Sequence, residues 1–163
     1  MILFILLENF FFSFLATVGF SIFFNSPKKS LIPAGTIGAI GWTVYIILFD
    51  ISGNGILANF FAAALISLFS EILARKMKYP AIIFVIPGIL PLVPGLGLYN
   101  AMLSLVEGNY TNSISVGTNA LFASAAIAMG VLLITSLVKT YYIICFKFKE
   151  KKATWKYRNW MEN

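Results

Sequence analysis

Charged residues fall only in short segments that separate five apolar runs, and this spacing constrains the fold more than any motif does. The runs cover about residues 2–24, 31–49, 55–74, 81–106 and 117–138. Each approaches or exceeds the roughly 20 residues that carry a helix across a hydrocarbon layer ~30 Å thick. Only 11% of the 163 residues are charged, against 60% hydrophobic, and the mean hydropathy is +0.89. Soluble domains carry about 25% charged residues, so this chain lacks the means to cover a water-facing surface. The expectation is an all-α integral membrane protein: a membrane domain over residues 1–146 with about five transmembrane helices, and a basic cytoplasmic tail over 147–163. The first run has no positive leading segment and is longer than the apolar part of a secretory signal. It reads as a membrane span.

The cations give the orientation. Lys28 and Lys29 lie between spans 1 and 2, and Arg75, Lys76 and Lys78 between spans 3 and 4. Six more follow Phe146, whereas connections 2–3 and 4–5 hold no Lys or Arg, only Asp50 and Glu107. Cations are enriched in cytoplasmic loops, so the alternation predicts five spans with the N-terminus outside and the C-terminus inside. The tail interleaves Lys and Arg with Trp155, Tyr157 and Trp160. That pattern suits an anchor on the lipid bilayer or a docking segment for a cytoplasmic partner.

Several function classes lack the residues they need. The chain has no histidine and one cysteine, Cys145, and its six acidic residues are scattered. No metal cluster, cofactor site or nucleophile–base pair can be assembled from these, and no enzyme is expected. A nucleotide-binding motif is missing as well. The net charge of +6 is accounted for by topology, so it does not point to nucleic acid.

The fourth run is anomalous. From Pro87 to Gly97, six of eleven residues are Pro or Gly, and the others are Ile, Leu and Val. Each proline in a helix interior removes a donor and clashes with the preceding turn, at about 3 kcal/mol. Pro87, Pro91 and Pro94 together are expected to unwind the segment. An unwound backbone survives in hydrocarbon only where protein shields it or a watery cavity receives it. One reading is a discontinuous or re-entrant helix of the kind that carries transporter binding sites. The other is a kinked structural helix, since Pro and Gly are common in membrane spans.

Small residues recur at helical spacing: Gly35, Gly38 and Gly41, Ala34/Gly38, Ala58/Ala62, Ala63/Ser67 and Ala126/Gly130. They allow close helix approach, either within the chain or against another subunit, a homo-oligomer included. Glu71 precedes Arg75 by one turn and can pair with it. The pair is either an interfacial ion pair or a gate beside the broken span.

VGFSIFFNSP (18–27), AGTIGAIGW (34–42) and above all SEILARKMKYPAIIFVIPGILPLVPGLGLYNAM (70–102) resemble the small membrane subunit of the threonine/serine exporter family. The chain is also similar to the small component of a two-component bacterial succinate exporter. The resemblance implies a multi-pass protein of the bacterial inner membrane that works with a larger subunit of the same family. It further implies secondary-active export of a small polar metabolite, threonine or serine first and a dicarboxylate such as succinate second. Mapped onto the motif, Pro87, Gly88, Pro91, Pro94, Gly95, Tyr99 and Asn100 form the expected substrate pathway. Glu71, Arg75 and Asn25 form the expected cytoplasmic gate. The alternative is a structural or assembly subunit with no substrate site of its own, and an enzyme acting on lipid stands third.

Overall fold

The computed structural model describes residues 2–161, with side chains described for residues 4–144. Among the described residues there are helices and no strands. The order is α1 (Ile2–Phe23), a 3-10 turn at Lys28–Ser30, α2 (Leu31–Ser52), α3 (Gly55–Met77), α4 (Ile82–Ile89), a 3-10 turn at Leu90–Leu92, α5 (Gly95–Val106) and α6 (Tyr110–Met161). Four helices are long and apolar enough to cross a membrane, and α4 with α5 makes a fifth when the bent pair is taken as one span. The molecule is a multi-pass α-helical membrane protein, as its composition requires.

Short polar signals set the turns. Gly53 closes α2 in the left-handed region, with φ +63°. Asn54 then caps α3, its Oδ1 accepting from the amides of Ile56 at 3.0 Å and Leu57 at 3.3 Å. Two first-turn donors are thereby satisfied where no intrahelical carbonyl is available. At the opposite end α3 closes on Lys78, a non-glycine residue at φ +58°. Gly108, at φ +78°, turns the chain from α5 into α6. Asn109 caps α6, its Oδ1 accepting from the Asn112 amide at 3.2 Å.

Close helix approach is built on the small residues. α1 presents Ser13, Thr17 and Ser21, all buried, at four-residue spacing. Each of the last two returns its hydroxyl to the carbonyl one turn earlier at 2.8 Å, which satisfies it without a partner helix. Ser13 instead donates across to the Gly38 carbonyl of α2 at 3.3 Å. The Cβ that Gly35 lacks would lie 2.6 Å from Val18 Cγ2, and that of Gly130 2.5 Å from the Phe60 carbonyl. The glycines therefore set how near α2 comes to α1 and α6 to α3. In lipid, such van der Waals contact replaces the hydrophobic drive available in water. Ser67 of α3 and Thr135 of α6 add a hydrogen bond of 3.1 Å.

α4 packs against α2, α3 and α1, whereas α5 packs on α6. Ser113 Oγ donates to the Ala101 carbonyl at 2.8 Å, and Asn112 Nδ2 to Ser104 Oγ at 2.8 Å, tying α5 to the start of α6. The broken run thus leaves one set of helices and joins another.

α6 departs most from expectation. It starts at Tyr110, not near residue 117, and passes residues 138 and 146 without interruption. Its apolar part alone, Tyr110–Ile144, has 35 residues, about 52 Å of helix at 1.5 Å per residue. The change from apolar to basic residues marks where a bilayer would end, but Lys and Glu are good helix formers and need not end the helix. The side chains expected to anchor the tail lie outside the described ones.

Candidate functional site

Three prolines enter the broken run, yet they do different things. Pro87 stays inside α4 and is fully buried. Gly88 beside it is buried too, and a Cβ there would stand 3.0 Å from Ile66 Cγ2 and 3.6 Å from Ile37 Cγ2. Packing against α2 and α3 holds this turn helical despite the missing donor. Pro91 enters the 3-10 turn near its start, where no donor is required of it. Pro94 makes the break. The residue before a proline is driven out of the helical region by the ring, and Val93 is extended at φ −61°, ψ 126°. The Gly95 amide then donates to the Val93 carbonyl at 2.7 Å and α5 begins. The resulting bend is 50°. The unwinding expected across all three prolines is thus confined to residues 90–94.

A cavity flanks each end of the bend. The first, about 680 Å³, is lined by Glu71, Ala74 and Arg75 of α3, by the start of α4, and by Val131, Thr135 and Lys139 of α6. The second, about 670 Å³, is lined by Trp42 and Tyr45 of α2, by Asn54 and Asn59, by residues 91–97, and by Asn119 of α6. A third, about 440 Å³, shares Ile89 and Val131 with the first and Val93 and Pro94 with the second. The three form one groove along the broken run, bounded by α6.

The two ends of the groove differ in chemistry. At the first, Arg75 Nη2 donates to Glu71 Oε2 at 3.2 Å, with the Glu71 side chain 6% exposed and that of Arg75 36%. The guanidinium carbon sits 3.5 Å from the centre of the Tyr142 ring, a cation–π arrangement. Lys139 is the further cation of this lining. At the second end no charged side chain lines the cavity. Trp42 stacks on Tyr45 with ring centres 5.1 Å apart, and its indole N–H donates to Asn9 Oδ1 at 3.3 Å. Asn59 is 5% exposed, and its Oδ1 has no hydrogen-bond partner.

The residues singled out from sequence are only partly brought together. Pro91, Pro94 and Gly95 line the second cavity, and Glu71 and Arg75 the first. Pro87 and Gly88 are buried in helix packing and line none of the three cavities. Tyr99, 63% exposed, and Asn100 lie on the open surface of α5, also outside these linings. Asn25 sits after α1 at φ +55°, exposed, its amide bonded to the Ile22 carbonyl at 2.9 Å, away from Glu71 and Arg75 in all three linings. Sequence reading passed over Asn59 and Asn119. An amide within an apolar run carries a desolvation cost, and that was the available signal.

The family model described as "Threonine/Serine exporter, ThrE" matches residues 9–137, from α1 into α6. An uncharacterized protein of Haemophilus influenzae is 29% identical over 136 residues, covering 78% of this chain and 46% of that protein. The chain thus spans about half the length of this curated relative. No solved structure matches it.

Proposed function

We propose, from the premise that this chain belongs to the threonine/serine exporter family, that it supplies one half of a secondary-active pathway exporting a small polar metabolite. A larger subunit of the same family supplies the other half. The observation that carries this reading is the bend at Val93–Pro94, with a cavity on either side and one groove joining them. Broken helices are used in transporters because freed backbone groups can face a solute only where the backbone leaves its ladder. The groove is bounded by this chain on one side only, which fits a pathway completed by a partner. Tyr99 and Asn100 belong to the surface such a partner would cover, and their polar groups would meet the pathway from that side.

With the N-terminus outside and the C-terminus in the cytoplasm of a bacterial inner membrane, the Glu71–Arg75 end is the cytoplasmic mouth. A carboxylate and a guanidinium that hold each other are suited to release one another for a solute carrying both charges. Threonine or serine is the first substrate class on this reading, and a dicarboxylate such as succinate the second. Pro91, Pro94 and Gly95 keep the backbone open between the two ends.

The test is efflux of preloaded threonine and of succinate from cells expressing this chain with and without the larger subunit. Efflux that requires both chains supports the reading and names the substrate class. Efflux from this chain alone replaces the two-part pathway with a homo-oligomeric carrier, and absence of efflux from correctly inserted protein overturns the exporter reading.

A further inference from the structure

The cavity beside Trp42 and Tyr45 contains two polar features that the helix bundle does not explain. The first is the start of α5. Its cap position is held by Pro94, which offers no side-chain bond to the first turn. Gly95, Leu96 and Gly97 all line the cavity. The leading amides of a helix carry partial positive charge and accept an anion well. The bulk that would hinder an approach is missing, since a Cβ on Gly95 would meet nothing within 4 Å.

The second feature is independent of the first. Among the described residues, two buried side-chain atoms lack a partner, Asn59 Oδ1 and Ser70 Oγ. Only Asn59 lines one of the three cavities. Its neighbour Asn54 is engaged in capping α3, so the two amides of this wall differ in availability. A buried acceptor left unmatched is costly, and the cost is recovered when a ligand donates to it. The lining has no carboxylate. An ammonium would be stripped of water here with nothing to neutralise it. A neutral hydroxyl matches a neutral amide without that penalty.

We propose that Asn59 and the open start of α5 form a subsite for a small carboxylate bearing a neutral hydroxyl, the carboxylate at α5 and the hydroxyl donating to Asn59. The subsite rests on the exporter reading and assigns its specificity to the non-charged end of the groove. Asn59 is then a specificity-determining residue, and Trp42 and Tyr45 wall the site against larger solutes.

The experiment compares efflux of threonine with that of 2-aminobutyrate, which differs from it by the hydroxyl alone, through the full chain expressed with its larger partner. Sites built to bond a hydroxyl discriminate strongly against its absence, and the wild-type chain is expected to favour threonine by about tenfold or more. Asn59→Leu, similar in volume, brings threonine efflux down to the 2-aminobutyrate rate and leaves the latter little changed. If Asn59→Leu does not accumulate in the membrane, Asn59→Ala is read the same way. Equal wild-type rates, or a threonine preference that persists in the variants, overturn the subsite and leave the exporter reading standing. No efflux of threonine, 2-aminobutyrate or succinate from the wild type overturns both.

Discussion

Arg75 and Glu71 stand one turn apart on α3, joined at 3.2 Å with the carboxylate buried and the guanidinium about a third exposed. Removing one member of a fully buried pair costs about 3–5 kcal/mol, because the other is left charged and alone. Here water and the Tyr142 ring reach the arginine, so the cost to stability is smaller. Glu71→Gln is expected to lower efflux about tenfold or more while the membrane level of the protein holds. The double change Glu71→Gln with Arg75→Gln removes both charges and decides the role. If the pair only stabilises α3, the neutral double variant recovers efflux; if it gates, efflux stays low. Transport rate normalised to immunoblotted protein reads the difference.

Gly130 and Gly19 give a matched test of helix packing. A Cβ at Gly130 would be 2.5 Å from the Phe60 carbonyl and 3.1 Å from the Ala64 amide, both backbone atoms that cannot swing away. At Gly19 a Cβ would meet nothing within 4 Å. Gly130→Ala should therefore force α6 from α3 and destabilise the fold by about 1–3 kcal/mol, the usual cost of overpacking. Gly19→Ala is expected to be neutral or to gain up to about 1 kcal/mol from helix propensity. Thermal unfolding in detergent checks the ordering, and equal melting temperatures would remove the close α3–α6 approach from the account.

The same contrast shows how far the sequence could be read. The Ala126/Gly130 spacing marked a packing face, and the apolar runs marked the spans, because period and length are local properties. Arg75 lay within one turn of Glu71, so their pairing was legible too. What Pro87 would do was not. Three prolines look alike in a sequence, and only the packing of Pro87 and Gly88 on α2 and α3 separates them from Pro94. The length of α6 was hidden for a different reason, since composition reports the solvent around a helix and not where it stops. The availability of Asn59 depended on which amide was spent on a cap. That is a tertiary fact.

Pro94 is expected to matter more to transport than Pro87. In Pro94→Ala the restriction on Val93 is lifted, a backbone donor returns, and α4 can run toward α5 with the 50° bend reduced. Efflux should fall about tenfold at undiminished membrane level. Pro87→Ala restores a helical donor inside α4 and removes ring atoms from a buried site, so its effects fall on stability, within about 1–3 kcal/mol. Efflux per inserted molecule should stay near wild type. If Pro94→Ala instead releases the larger subunit on co-purification while efflux through the residual complex is normal, the segment is an assembly element and the scaffold reading prevails.

Orientation is open to a direct check because the helix ends alternate. Lys28 and Lys78 follow α1 and α3, whereas Gly53 and Asn109 follow α2 and α5. With the broken run crossing as one span, the first pair lies on one side of the bilayer and the second on the other, and the chain termini are on opposite sides. The cation distribution assigns Lys28 and Lys78 to the cytoplasm. In a background with Cys145 replaced by Ser, Asn109→Cys should react with a membrane-impermeant maleimide added to intact cells, and Lys28→Cys only after the cells are opened. Reaction of Asn109→Cys solely from the cytoplasmic side would invert the protein. Glu71 and Arg75 would then guard the outer mouth, and the hydroxyl-selective subsite at Asn59 would be the one loaded from the cytoplasm. Reaction of both cysteines from the same side would mean that the bend at Val93–Pro94 returns the chain to the face it entered, making α4 and α5 a re-entrant pair.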